Sequence, residues 1–235
     1  MSANYNTFVS SIKTVATNKK KAMSLAGPVF KELYNTGCSI CNKNDQIKTS
    51  KNVALAIYSR GYIPSNVFPI CAMCQKIRHG LSKSQLVALA AQTIMNCRLT
   101  PKCLGNKYKK YLRMSSLLTH APGTNMQTST RAHSTNYNTY RCSAKKRCSV
   151  ANGQRCPSSV FTLTRNQFDA IRQRDCFFCG LHDSNGIDRL YPSMGYTTTN
   201  SVPCCKTCNY AKNDMHPATY VTHLANIVRT NAQVI

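Results

Sequence analysis

The chain contains the stretch GYTTTNSVPCCKTCNYAK at residues 195–212 and an earlier version of it, GYIPSNVFPICAMCQKIR, at residues 61–78. The two align without a gap. A glycine, a tyrosine, an asparagine, a proline, both cysteines of a Cys-x-x-Cys pair and a terminal cation coincide. Because similarity at a fixed spacing marks a repeated structural unit, the chain is predicted to contain two copies of one small module.

Eight of the 14 cysteines form four Cys-x-x-Cys pairs, which is the spacing of zinc ligands. In chain order the pairs make two sets, with 29 and 25 residues between the two pairs of each set. The sets are Cys38, Cys41, Cys71 and Cys74, then Cys176, Cys179, Cys205 and Cys208. Each set predicts one structural Zn²⁺. Thiolates kept for zinc indicate a reducing intracellular compartment, such as the cytoplasm or nucleus of a host cell.

The repeat extends upstream, because residues 24–41 align with residues 162–179 and the basic run 19–21 matches 145–147. Between the copies, residues 119–138 are rich in Ser, Thr and Asn and lack apolar periodicity, which is typical of a linker. The predicted organisation is a first zinc module with a basic helical extension in residues 1–118, then the linker, and a second module in residues 139–235.

Local patterns predict the same elements in both copies, and the fold class is α+β, small and zinc-stabilised. A helix precedes the first cysteine pair of each copy, at residues 29–35 and 165–174. A strand, a turn and a second strand follow, at residues 186–202 in the second copy. Each second cysteine pair then opens a helix, and an amphipathic helix comes last, at residues 83–96 and 218–229.

The charge of the chain indicates a polyanionic partner. It carries 31 Lys and Arg against 7 Asp and Glu, a net charge of +24. Duplex DNA is favoured over an anionic membrane surface or a capsid interior, because phosphate neutralisation by basic residues dominates non-specific DNA binding. The predicted DNA contacts are Lys19, Lys20, Lys21, Lys145, Lys146, Arg147 and Lys212. No apolar run approaches the roughly 20 residues that span a bilayer, so no membrane partner is expected.

The second copy carries further motif residues in GIDRLYPSMGYTTTNSVPCCKTCNYAKND, residues 186–214. Over roughly residues 140–220 this pattern resembles the HNH, or ββα-metal, endonuclease family, including phage and viral members. The resemblance implies a hydrolase of DNA phosphodiester bonds built on tandem ββα-metal modules. It implies that Asp188 and Asn209 bind a catalytic Mg²⁺ or Mn²⁺, for which hard oxygen ligands are suited. Asn200 is expected to brace the hairpin of this site.

Arg189 stands where the common family pattern has its general-base histidine. Arginine stays protonated and cannot take a proton from water, so Arg189 is expected to clamp the scissile phosphate. The same Asp-Arg pair occurs in a subset of the family that includes a rare-cutting restriction enzyme with two zinc sites. The proton acceptor stays open among Tyr191, Tyr196, His182 and His216. Because Tyr62 repeats Tyr196 in the first copy, Tyr196 is expected to belong to the core.

The first copy has Ala54, Leu55 and Gln75 where the second has Asp188, Arg189 and Asn209. The first module is therefore predicted to be degenerate and the second intact. With one site per chain the enzyme should nick DNA, and a double-strand cut would require a homodimer. Two alternatives stay open: a catalytically inactive HNH-derived DNA-binding or genome-packaging protein, which fits a location in a virion, and an RNA-binding zinc protein.

Overall fold

The computed structural model describes residues 3–43, 51–97, 136–146, 160–182 and 186–232 and combines α-helices with two antiparallel two-stranded sheets. It divides into two compact units. Unit 1 comprises residues 1–87 and 226–235, and unit 2 comprises residues 88–225. Within the described residues, no helix has the length and apolar character needed to cross a membrane.

Unit 1 begins with two helices and continues with a hairpin and a third helix. The elements are α1 (Ala3–Asn18), α2 (Gly27–Asn35), β1 (Lys51–Leu55), β2 (Val67–Cys71), α3 (Ala72–Arg78) and the first residues of α4 (Lys83–Asn96). Short 3-10 turns at Tyr58–Arg60 and Pro64–Asn66 lie between the two strands. The strands pair with Val53 opposite Pro69.

Unit 2 repeats this order of helices, hairpin and helix. After the rest of α4, its elements are α5 (Tyr137–Lys146), α6 (Arg165–Arg172), β3 (Ile187–Arg189), β4 (Ser201–Pro203) and α7 (Lys206–Lys212). The last helix, α8 (Pro217–Ala232), lies in unit 2 as far as residue 225. The strands pair with Asp188 opposite Val202.

Each hairpin packs on an apolar cluster of similar composition. In unit 1, α1 contributes Phe8, Ile12 and Ala16, which recur every four residues and so share one face of the helix. They pack with Phe30 of α2 and with Tyr62. Burying a residue such as Phe30 contributes about 1.5–3 kcal/mol of transfer free energy. The hydrophobic effect therefore fixes the helices against the hairpin.

The cluster of unit 2 has matching members. Tyr140 and Ala144 of α5 take the place of the α1 residues, and Phe168, Ile187 and Tyr196 complete it. The Tyr140 ring lies 5.2 Å from that of Phe168 and 5.8 Å from that of Tyr196, both aromatic contact distances.

An asparagine closes each hairpin through three hydrogen bonds. Oδ1 of Asn66 accepts from the Ile57 N–H at 2.7 Å, and its Nδ2 donates to the carbonyls of Ile57 and Gly61, both at 2.8 Å. Asn200 repeats this pattern with Tyr191 and Gly195, at 2.9, 3.1 and 2.8 Å. Both asparagines are buried. The bracing expected of Asn200 is thus present in the hydrogen bonds of both units.

Glycine is required at the start of the repeated stretch by a close backbone approach. A Cβ at Gly61 would lie 2.6 Å from the Ala22 carbonyl oxygen, and one at Gly195 would lie 2.3 Å from that of Val160. The tyrosine after each glycine donates its N–H to the same carbonyl at 2.8 Å. Any side chain would push these backbones apart.

The predicted helices before the cysteine pairs and after the modules are present, with ends shifted by at most two residues for α2, α4 and α6. Among the helices that the structure describes, α1 and α5 were not predicted. Their Thr, Val, Asn and Ser residues have modest helix propensity, and the helices are stabilised by packing of their apolar faces. Residues 137–138 of the predicted linker open α5, and residues 119–135 lie outside the described residues.

The two compact units also divide the chain at places other than the predicted domain boundaries. The second half of α4, from residue 88, groups with unit 2, and residues 226–235 group with unit 1. The sequence alignment ends before these helices, so it gave no signal of where their ends would pack.

Candidate metal centres and active site

The eight paired cysteines form two clusters, as predicted. One contains Cys38, Cys41, Cys71 and Cys74 and the other Cys176, Cys179, Cys205 and Cys208, with the sulfurs of each cluster within 4.8 Å of one another. The Sγ atoms of Cys41 and Cys71 are 3.8 Å apart, and those of Cys179 and Cys205 are 3.7 Å apart. A tetrahedral zinc with bonds of about 2.3 Å places its sulfurs about 3.8 Å apart. Both clusters therefore fit a structural Zn²⁺.

Local backbone geometry directs the thiols inward. In each cluster the third cysteine caps a helix, since Sγ of Cys71 accepts from the N–H of Cys74 at 3.3 Å and Sγ of Cys205 accepts from that of Cys208 at 3.4 Å. These N–H groups are among those that a helix start leaves unpaired, and they stabilise a thiolate. Hydrogen bonding from the second cysteine lowers the pKa of the first one, Cys38 or Cys176.

A side-chain amide fixes the tight turn of each first cysteine pair. In unit 1, Nδ2 of Asn231 in α8 donates to the Ile40 carbonyl at 2.7 Å. In unit 2, Nδ2 of Asn96 in α4 donates to the Phe178 carbonyl at 3.1 Å. The accepting residue directly precedes the second cysteine of the pair in both cases. Sequence reasoning missed this support, and the only available signal was an asparagine near the end of each amphipathic helix.

Asp188 and Lys212 form a buried ion pair in unit 2. The exposed fractions are 5% for Asp188 and 0% for Lys212, and Nζ lies 2.8 Å from Oδ2 of Asp188. Burial raises the pKa of Asp188, and the Lys212 charge opposes that shift. The pair joins the middle of β3 to the last residue of α7.

The burial of Lys212 does not fit its predicted role as a surface contact for DNA phosphates. The α7 helix turns the side chain towards the hairpin, where an otherwise unpaired carboxylate would be costly to bury. Its charge is directed at Asp188 instead. Lys212 therefore belongs to the candidate active site.

Arg189 and Asn209 lie beside this pair. Nδ2 of Asn209 donates to the carbonyl of Ile187, the residue before Asp188, at 3.3 Å. Nη1 of Arg189 donates to the Pro192 carbonyl at 2.7 Å, and its guanidinium lies 5.7 Å from the Tyr196 ring centroid. One hairpin strand and one helix thus bring Asp188, Arg189, Asn209 and Lys212 into one region.

The four candidates for the proton acceptor differ in their burial and in their neighbours. Tyr196 is 2% exposed and belongs to the core, as expected from its repetition. His182 is exposed and pairs with Asp175 at 2.7 Å, and Asp175 directly precedes Cys176 of the four-cysteine cluster. Tyr191 is exposed on the hairpin beside Arg189, and its ring lies 5.2 Å from that of His216. The structure brings together only this tyrosine and histidine among the four.

The first copy keeps the cation but not the carboxylate. Arg78, aligned with Lys212, donates from Nη2 to the Leu55 carbonyl at 2.8 Å and from Nε to the carbonyl of Leu81. Ala54, aligned with Asp188, is buried. Continuing the alignment without gaps gives Ile57 for Tyr191 and Ser82 for His216.

The other residues predicted to contact DNA differ in how exposed they are. In the basic run of unit 1, Lys19 and Lys20 are exposed and Lys21 is half-buried. Lys145 and Lys146 are the last residues of α5, and Arg147 lies outside the described residues.

Comparison with known proteins gives a viral relative and no family. The chain is 26% identical over 218 residues to an uncharacterised protein of Acanthamoeba polyphaga mimivirus. That alignment covers 89% of this chain and 35% of the viral protein, so the chain spans about a third of its relative's length. No protein-family model and no solved structure matches the chain. The chain is therefore similar to a viral protein of uncharacterised function, and this similarity assigns no activity.

Proposed function

We propose that the protein is a metal-dependent DNA endonuclease of the HNH type with its active site in unit 2. The observation that carries the proposal is the buried carboxylate of Asp188. This residue of strand β3 pairs with Lys212 of helix α7, in a chain with few acidic residues. A buried carboxylate is costly to maintain, and perturbed acids of this kind concentrate at functional sites. The first copy has Ala54 at the aligned position and forms the same hairpin and four-cysteine cluster without a carboxylate.

The proposed ion would be held by Asp188 and Asn209. The donor set fits, because carboxylate and amide oxygens are hard ligands, and the Asp188 carboxylate already attracts a cation, the Lys212 ammonium at 2.8 Å. Mg²⁺ or Mn²⁺ bound there supplies Lewis-acid stabilisation of the charge that develops on the phosphate. In this proposal the ββα-metal motif consists of β3, β4 and α7.

Other residues of unit 2 have roles in binding and proton transfer. Arg189 directly follows Asp188 in β3, and a hydrogen bond to the Pro192 carbonyl holds its guanidinium in place. This cation is suited to bind the scissile phosphate. The proton released during attack is proposed to go either to Tyr191, as its phenolate, or to the neutral imidazole of His216. The imidazole Nδ1 of His216 accepts the Ala218 N–H at 3.3 Å, so the neutral ring carries its proton on Nε2. A proton accepted by His216 would therefore be taken up at Nδ1.

Plasmid nicking tests the proposal with a control inside the same chain. Asn209→Ala removes the proposed ligand, whereas Gln75→Ala changes the aligned, exposed residue of unit 1. We expect Mg²⁺- or Mn²⁺-dependent nicking of supercoiled plasmid to fall by roughly 100-fold or more in Asn209→Ala and in Asp188→Asn. Gln75→Ala should nick like the wild type. Zinc content and circular dichroism confirm that each variant is folded.

An inactive DNA-binding or genome-packaging protein derived from the same fold is the competing function. The observation that favours it is the Lys212 ammonium, which occupies the Asp188 oxygen and provides charge balance without a metal. This alternative predicts DNA binding without nicking in Mg²⁺ or Mn²⁺. Nicking that is equal in the wild type, Asp188→Asn and Asn209→Ala would likewise rule out the proposed active site.

A further inference from the structure

An exposed tyrosine of unit 1 lies against the basic run at residues 19–21. Tyr58, in the turn between β1 and β2, is 54% exposed. Nζ of Lys21 lies 4.2 Å from the centre of the Tyr58 ring, and Nζ of Lys19 lies 5.9 Å from it. Both distances are within the range in which a cation is attracted to an aromatic face. The ring is therefore held beside two positive charges while much of its surface stays open.

Backbone pairing builds this arrangement. Met23 forms a bridge with Tyr62, the N–H of Tyr62 donates to the Ala22 carbonyl at 2.8 Å, and the N–H of Ser24 donates to the Tyr62 carbonyl at 3.0 Å. These bonds join the segment that follows the lysines to the segment that follows the Tyr58 turn. The juxtaposition is thus part of the fold of unit 1.

The chemistry of this surface is apolar, aromatic and cationic. Ile57, next to Tyr58, is 44% exposed, and neither residue belongs to the apolar cluster of the unit. Residues 19–22 and 57–61 include Lys19, Lys20, Lys21 and Arg60 and contain no acidic residue. A flat aromatic face beside several cations matches a ligand that carries both a planar ring and negative charge.

We propose that Tyr58, Lys19 and Lys21 bind an unpaired nucleotide of single-stranded nucleic acid. The base stacks on the Tyr58 ring, and the lysines neutralise adjacent phosphates. Bases inside a duplex are stacked on one another and offer no face to a surface tyrosine, so single strands are favoured over duplexes. This site goes beyond the proposed endonuclease, because it lies in the unit without Asp188, Arg189 and Asn209 and needs no catalytic metal.

Fluorescence anisotropy tests the site with the full zinc-loaded chain. The probes are a labelled thymidine strand of about 20 nucleotides, an abasic strand of the same length and a duplex of the same length, at one salt concentration. Mg²⁺ and Mn²⁺ are left out, so the probes stay intact. Tyr58→Ala removes the ring and Tyr58→Phe keeps it. Phe177→Ala is the matched control, since Phe177 is an exposed aromatic residue of unit 2.

Tyr58→Ala should bind the thymidine strand at least about fivefold more weakly than the wild type, with the abasic strand unaffected. Tyr58→Phe and Phe177→Ala should stay within about twofold of the wild type. Wild-type affinity of Tyr58→Ala for the thymidine strand overturns the proposal, and so does an equal loss for the abasic strand or the duplex. Phosphatidylserine vesicles serve as a further probe. If Tyr58→Ala loses affinity for these vesicles alone, the proposal is overturned and the surface is assigned to a membrane.

Plasmid nicking by Tyr58→Ala keeps this result separate from the proposed activity. If the thymidine strand binds as expected but no protein nicks the plasmid, only the endonuclease proposal fails. If the wild type nicks and Tyr58→Ala binds normally, only the stacking site fails.

Discussion

Units 1 and 2 share a hairpin, a closing asparagine and a four-cysteine cluster, and they differ in what lies under the last turn of the helix after the hairpin. In unit 2 a buried lysine faces a buried carboxylate, Lys212 with Asp188. In unit 1 the aligned Arg78 faces backbone carbonyls, because Ala54 replaces the acid. The module therefore folds with or without the carboxylate. In unit 2 the carboxylate balances the buried charge of Lys212, and the aligned cation of unit 1 needs no such partner.

A second difference lies at the hairpin surface. Unit 2 presents Tyr191 beside His216, whereas unit 1 has Ile57 and Ser82 at the aligned positions and presents Tyr58 beside lysines. Both surfaces carry an exposed tyrosine, displaced by one residue in the alignment. Under the two proposals above, unit 2 carries the groups for chemistry on a phosphate, and unit 1 carries the groups for holding a strand.

Removal of a zinc ligand should have the largest effect, and it should act equally on both units. Binding of a structural zinc contributes about 10–16 kcal/mol, which matches or exceeds the stability of a small domain. We expect Cys74→Ser and Cys208→Ser each to lower the zinc content from two ions per chain to one and to unfold the affected unit. Metal analysis and amide hydrogen exchange measure this.

Cys204→Ala is the matched control, because Cys204 is buried next to Cys205 but lies outside the four-cysteine cluster. It should keep both zinc ions. Two retained zinc ions in Cys208→Ser would contradict the assignment of the clusters.

Replacing the buried cation should cost more unfolding free energy in unit 2 than in unit 1. Lys212→Met leaves the Asp188 carboxylate buried without its partner, which costs about 3–5 kcal/mol of unfolding free energy. Arg78→Met removes hydrogen bonds to neutral carbonyls and should cost about 1–2 kcal/mol. Urea unfolding of the zinc-loaded proteins measures both. The double variant Asp188→Asn with Lys212→Met should recover most of the loss. Equal costs for the two single variants would remove the distinction between the units.

Loss of a closing asparagine should cost less than loss of Lys212, and the cost should be equal in the two units. Asn66→Ala and Asn200→Ala each delete three hydrogen bonds to the backbone, and we expect each to cost about 2–3 kcal/mol in the same urea experiment. A loss in Asn200→Ala more than twice that in Asn66→Ala would show that Asn200 has a role beyond bracing the hairpin.

Much of the module was predictable because its signals are local. The Cys-x-x-Cys spacing predicted two four-cysteine clusters, and the repeat predicted the hairpins and the helices that follow them. The asparagine that recurs in both copies marked the hairpin closure. Each of these signals depends on short-range geometry, in which the residue type alone restricts what the backbone can do.

Other features depended on contacts between distant parts of the chain. The helices α1 and α5 were missed, because their formation rests on packing of Phe8 and Tyr140 against cores made by later residues. Lys212 was predicted to contact DNA, since its charge gave no indication of a buried partner. The hydrogen bonds from Asn96 and Asn231 to the cysteine turns were also missed, because they join residues far apart in the chain.

The sequence by itself determined the duplication, the two cysteine tetrads, the excess of positive charge and the restriction of Asp188, Arg189 and Asn209 to the second copy. Tertiary structure decided that Lys212 is buried on Asp188, that Tyr191 meets His216, and that Tyr58 lies beside Lys19 and Lys21. The physical reason is the range of the interactions. Metal ligands and turns are encoded within a few residues, whereas buried charges and surface clusters arise only after apolar packing has fixed distant segments together.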